Sequence, residues 1–136
     1  MTHVSSLTHA LSINPATGEQ IGQYPFESDS ALQAALTQAA TGFRVWRGKP
    51  VEQRAQLLIN LAQALRNSAT AMANMITLEM GKPIAQARGE VEKCAQLCEW
   101  YAEHGPAMLS PEPTQVEGGK ARIEYRPLGP ILAVMP

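Results

Sequence analysis

Cys94 and Cys98, four residues apart, and His104, six further on, have the side chains that could bind a soft metal or supply a nucleophile and its base. On a helix, an i, i+4 pair places both thiols on one face rather than across a closed loop. A zinc site needs more ligands, yet His104 falls off that face while His3 and His9 lie in a polar N-terminal tail. The cysteines therefore read as reduced core thiols that pack as small hydrophobes, and neither has a neighbouring base to activate it. Gly118-Gly119-Lys120 invites comparison with a phosphate loop, but Thr114 and Ala121 stand where that motif needs Gly and Ser or Thr. A hairpin turn fits it better. Glu79, Glu90, Glu92 and Glu99 could form acid/base pairs, although carboxylates on amphipathic helices usually make a solvated face. The sequence contains no GxSxG, HExxH, GxGxxG or calcium-loop spacing, so the residues by themselves spell out no complete active site.

The elements that must hold these side chains follow from period and punctuation. Between Ser12 and Phe26 the dipeptides Asn14-Pro15 and Thr17-Gly18 separate short apolar patches, which predicts strand, tight turn and strand, or an extended arm on a larger body. Ser28 and Asp29 then offer N-caps to a helix with Leu32, Leu36, Ala39, Phe43 and Trp46 on one face, ended by Gly48 and Pro50. A long amphipathic helix is expected from Val51 to Met80, with Ala55, Leu58, Ala62, Leu65, Ala69, Met72 and Ile76 on its stripe and Gly81 as its C-cap. A third helix carries Ile84, Ala87, Val91, Cys94, Cys98 and Tyr101 and is expected to stop at Gly105-Pro106. After the Pro-rich stretch Ser110 to Thr114 the period changes to two. Gln115 to Tyr125 then reads as a β-hairpin turning at Gly118-Gly119. Beyond Pro127-Leu128-Gly129-Pro130, the apolar run Ile131 to Met135 has the pattern of a strand buried on both faces, as in parallel sheets. Such a strand must take its neighbours from another chain, or the sequence has been cut.

Composition removes several function classes. A hydrophobic content of 45% over 136 residues is enough for one domain with a core and argues against disorder. A net charge of -1 supplies no basic field, which argues against nucleic acid and membrane surfaces as partners. No apolar run reaches the roughly 18 residues needed to span a bilayer. The opening MTHVSSLTHALS lacks the cationic start and apolar core of a secretory signal, so a cytoplasmic protein is expected.

Read in order, six landmarks resemble the N-terminal part of the NAD(P)-dependent aldehyde dehydrogenase superfamily. They are Ile13 to Glu19 (INPATGE), Phe43 with Trp46, Arg54 with Leu57 and Leu61, Glu79 to Pro83 (EMGKP), Trp100-Tyr101-Ala102, and Tyr125 to Gly129 (YRPLG) running into Ile131 to Pro136. The resemblance covers nearly the whole chain. Within the superfamily, Cys98 to Leu109 looks most like the bacterial succinate-semialdehyde dehydrogenases.

The resemblance implies an α/β fold. An N-terminal extended arm or hairpin and three amphipathic helices would be followed by the start of an oligomerisation hairpin and the first strand of a Rossmann-like sheet. It divides the chain into a polar tail (1–11), an arm and helical part of the cofactor-binding domain (12–113), the start of the oligomerisation hairpin (114–127) and a truncated first cofactor-sheet strand (128–136). It implies an oxidoreductase using NAD or NADP to convert an aldehyde, with succinate semialdehyde the first expectation, to its acid through a cysteine thiohemiacetal. By the same alignment the nucleophile and general base fall beyond these residues, neither Cys94 nor Cys98 is the nucleophile, and this stretch alone is expected to be inactive. Val134, Met135 and Pro136 match the strand end that meets the nicotinamide side of the cofactor. Ser12, Ile13 and Glu79 match positions that hold a structural monovalent cation in several members. The third helix, with Glu90, would border the substrate entrance. The small-molecule aldehyde would be joined by further copies of the chain in a homo-oligomer, a dimer or tetramer. The competing reading is a non-enzymatic helical module that binds a partner through the Leu/Ala/Met stripe of its long helix and its last strand.

Overall fold

The computed structural model describes residues 8–135. Its first element is an antiparallel hairpin, β1 (His9–Ile13) and β2 (Gln20–Pro25), paired from His9 with Pro25 to Ile13 with Gln20 and slipping in register between Ser12 and Ile13. β1 starts inside the stretch read as polar tail, so His9 is a strand residue. His3 lies outside the described residues. The turn is built by Asn14, whose side-chain oxygen accepts from the Ala16 N–H at 2.9 Å and whose carbonyl accepts from the Gly18 N–H at 2.8 Å. Gly18 takes φ +77° there, a conformation that costs a side-chain-bearing residue about 1 kcal/mol or more.

Four helices follow: α1 (Asp29–Arg47), α2 (Val51–Asn67), α3 (Ala69–Met80) and α4 (Ile84–Met108). The cap expected for α1 is present, since Ser28 Oγ accepts from the Ala31 N–H at 3.2 Å. The expected long helix is two. It breaks at Ser68 (φ -99°, ψ 5°) while backbone bonds continue across the break, Ser68 N–H to Ala64 at 3.1 Å and Met72 N–H to Ser68 at 3.0 Å. Asn67 and Ser68 are poor helix interior residues, and a bend there lets both α2 and α3 lie against one partner, α4. α4 runs past its expected stop to Met108 with Pro106 inside it. The proline removes one donor near the end of the helix, but the ladder resumes with the Leu109 N–H on the Gly105 carbonyl at 3.1 Å.

The core sits where α4 meets α2 and α3, and it is made of small residues: Ala62, Ala73, Ala87, Val91 and Ala95. Alanines let helix backbones approach closely, which large side chains would prevent. This corrects the sequence expectation for the thiols. Cys94 is exposed and Cys98 half-buried, because the buried line of α4 runs through Ala87, Val91 and Ala95 and leaves Cys94 beside it. A second hairpin, β3 (Glu112–Val116) and β4 (Gly119–Ile123), pairs Glu112 with Ile123 through to Val116 with Gly119. It turns at Gly118, φ +78°, and the Tyr125 hydroxyl donates to Glu112 at its base.

The run Ile131 to Met135 is not a strand here. Its residues have no regular structure, and Leu132 is 89% exposed. A strand is defined by the backbone bonds it makes to a neighbour, and among the described residues neither two-stranded hairpin pairs with this run.

Candidate functional site

The residues expected to hold a cation come from elements far apart in the chain. β1 delivers Ser12 and Ile13, and the last turn of α3 delivers Glu79. The Ser12 hydroxyl donates to Glu79 Oε1 at 2.7 Å across 67 residues of sequence. The docking that brings them together depends on Gly81, the left-handed cap of α3 at φ +68°, where a Cβ would meet Pro15 Cγ at 3.2 Å. The glycine is thus required twice, by its backbone angle and by the hairpin turn against it. Ile13 sits beside Ser12 with its side chain half exposed. The junction offers one carboxylate and one hydroxyl, both hard oxygen donors. Among the described residues no group of three or more His, Cys, Asp or Glu could hold a metal ion.

The other expected site residues are not gathered. Val134 and Met135 are 85% and 80% exposed. Pro136 lies outside the described residues.

Sequence reasoning took the helical carboxylates for a solvated face, whereas they are partnered. From α2, Arg66 donates from Nε and Nη2 to both oxygens of Glu92, at 3.1 and 2.9 Å, and from Nη2 to Glu99 Oε2 at 2.9 Å, both acids on α4. These bonds, opposed by partial burial, hold the Glu92 and Glu99 carboxyls below the usual range and raise the Arg66 guanidinium further. Lys82 pairs with Glu90 at the start of α4. The signal for the Arg66 fork was present as acids seven apart on one helix face, but no local rule names the cation on another helix that they meet. Arg54, an early landmark on α2, lines an apolar cleft of about 450 Å³ between the ends of α1, α2 and α4. Its Nε is buried and has no partner among the described residues.

None of these arrangements pairs a nucleophile with a base. What they supply is positioning: a hairpin pinned to a helix end and three helices clamped by small-residue packing and one forked arginine. That architecture is found in known proteins. Residues 2–136 match the aldehyde dehydrogenase family. The chain belongs to the aldehyde dehydrogenase family. It is 57% identical over 133 residues to succinate semialdehyde dehydrogenase [NAD(P)+] of Escherichia coli (strain K12), covering 98% of this chain and 29% of that protein. It is 35% identical to succinate-semialdehyde dehydrogenase [NADP(+)] of Deinococcus radiodurans, covering 91% of this chain and 26% of that one. Among solved structures, succinic semialdehyde dehydrogenase from Streptococcus pyogenes in complex with NADP+ superposes with a TM-score of 0.78 at 29% identity, over 82% of this chain and 25% of that one. The chain therefore has the fold of part of an aldehyde dehydrogenase and spans under a third of the length of the relatives it matches.

Proposed function

We propose that this chain is the N-terminal part of an NAD(P)-dependent aldehyde dehydrogenase whose substrate is succinate semialdehyde. The observation that carries the reading is the 57% identity, across 98% of this chain, to an enzyme named for that reaction. In the whole enzyme a thiolate from outside these residues attacks the aldehyde carbon. Water activated by a general base, also from outside these residues, would release the acid after oxidation. This chain contributes position rather than reacting groups. Val134 and Met135 are apolar side chains free to contact the nicotinamide side, with Pro136 following them; when bound, NAD or NADP supplies the hydride acceptor. The relatives give no support to a non-enzymatic helical module.

Ser12, Ile13 and Glu79 are proposed to hold a monovalent cation. Supporting this is the 2.7 Å approach of the Ser12 hydroxyl to the Glu79 carboxylate. The β3–β4 hairpin, whose two strands bond in a sheet only to each other among the described residues, is proposed to add to the sheet of a partner copy in a dimer or tetramer. Among the described residues no helix is long and apolar enough to cross a membrane, and a cytoplasmic location is proposed.

The test is to assay the full-length polypeptide carrying this sequence with succinate semialdehyde and either nicotinamide cofactor, following absorbance of the reduced form. Turnover of succinate semialdehyde in preference to unsubstituted alkyl aldehydes is expected. Turnover only of other aldehydes would sink the substrate assignment, and no aldehyde oxidation would sink the reading altogether.

A further inference from the structure

Two arginines on α2 have opposite fates. Arg66 is forked onto Glu92 and Glu99. Arg54 forms no ion pair and no side-chain hydrogen bond among the described residues, although its Nε is closed off from water. A buried N–H without an acceptor costs more than the bond it would make is worth, and in half-buried Arg54 the Nε is the atom so placed. Arg54 lines the cleft of about 450 Å³ together with Trp46, Leu58, Leu97, Cys98 and Tyr101, and none of the cleft's lining residues is acidic. An unpaired guanidinium in an apolar surround defines its complement by charge and by solubility, namely a carboxylate carried between bulky apolar groups.

We propose that this cleft is a socket for an Asp or Glu side chain on an apolar segment, supplied by the part of the aldehyde dehydrogenase polypeptide that lies outside these residues. The carboxylate seats on the Arg54 guanidinium in the two-bond fork that Arg66 already shows, and the flanking apolar side chains fill the space between Leu58, Leu97 and Tyr101. The inference rests on the functional reading to the extent that it requires the rest of such a polypeptide, whose relatives are more than three times as long as the stretch they share with this chain. It adds a role for Arg54 as a positioning residue that fixes the ends of α1, α2 and α4 against the remainder of the enzyme.

The test uses the full-length polypeptide with Arg54→Lys and a water-soluble carbodiimide, which joins an amine to a touching carboxylate with loss of water. Mass spectrometry of the digest is expected to show residue 54 linked to an Asp or Glu outside residues 1–136. Finding no link, or a link only to a neighbour such as Glu52, would overturn the proposal. Wild-type protein treated with phenylglyoxal gives a second reading that needs no variant to fold. Arg54 should be modified about tenfold more slowly than exposed Arg44, the fold-change of one charge-assisted hydrogen bond, and equal rates would overturn the socket. Aldehyde oxidation by the same wild-type preparation separates the two claims. Activity without the link removes the socket alone, whereas the link without activity removes the functional reading alone.

Discussion

α1 and α4 show how little an apolar stripe says about burial. α1 has the most strongly segregated apolar face of the four helices, yet no residue of it is buried and Leu36 remains 56% exposed. The face of α4 is less sharply divided, yet Ala87 and Ala95 are fully buried within it. The difference lies in what stands opposite. α4 meets α2 and α3 along its length, whereas α1 packs on no element to a comparable extent. Large side chains mark a helix that requires a partner, and small ones mark where a partner has already come close.

Hydrogen exchange on this chain would break that contrast most directly. Amides of α4 between Val91 and Trp100 should exchange roughly one to two orders of magnitude more slowly than those of α1 between Leu36 and Phe43, because a helix without tertiary packing is marginal in water. Equal protection would mean that α1 is covered. Next in size, Ala87→Leu should destabilise the chain by about 1 to 3 kcal/mol through overpacking, whereas Leu36→Asn should fall within about 0.5 kcal/mol. Urea midpoints of the two variants make the comparison, and a large loss from Leu36→Asn would refute it.

A third comparison sets two exposed glycines against each other. Gly81→Ala should cost about 1 to 2 kcal/mol, from the left-handed backbone and the contact with Pro15. Gly89→Ala, with open space around it in α4, should stabilise by about 0.5 to 1 kcal/mol. Thermal unfolding reads both signs. The smallest effect is the pH response of the α2–α4 clamp. Bonds from Arg66 hold Glu92 and Glu99 below their ordinary values, so their folded values lie below the unfolded ones. The stability they contribute is therefore present above the unfolded value of about 4.3 and is lost as pH falls through the folded values. The difference in urea midpoint between wild type and Arg66→Met should be full near pH 7 and shrink below about pH 4; a gap that persisted in acid would show that Arg66 acts by packing alone.

Much of this was legible beforehand, for local reasons. Ser28 as a cap, Gly81 as a left-handed stop and the Asn14 to Gly18 turn are each fixed by a backbone preference within a few residues. The stripe of α2 was also right, with Ala62 buried at its centre. The break at Ser68, the passage of α4 through Pro106 and the exposure of Cys94 were not legible. The break joins a local weakness at Asn67 and Ser68 to the docking of both α2 and α3 on α4, and the exposure of Cys94 follows from which line of α4 those helices cover. At the candidate cation site the sequence, through family resemblance, named Ser12 and Glu79. No period or spacing joins positions 67 apart, and docking of the hairpin on the end of α3 placed them 2.7 Å from each other.

By itself, then, the sequence determined the helices, turns and caps and the family, because these depend on dihedral preferences and on ordered landmarks along the chain. Only the tertiary structure decided which apolar faces are covered, which carboxylates are paired and that the Arg54 Nε has no partner among the described residues. Those outcomes depend on distances between elements, and Ile131 to Met135 shows the same rule from the other side: β-propensity makes no strand where no neighbouring strand bonds to it.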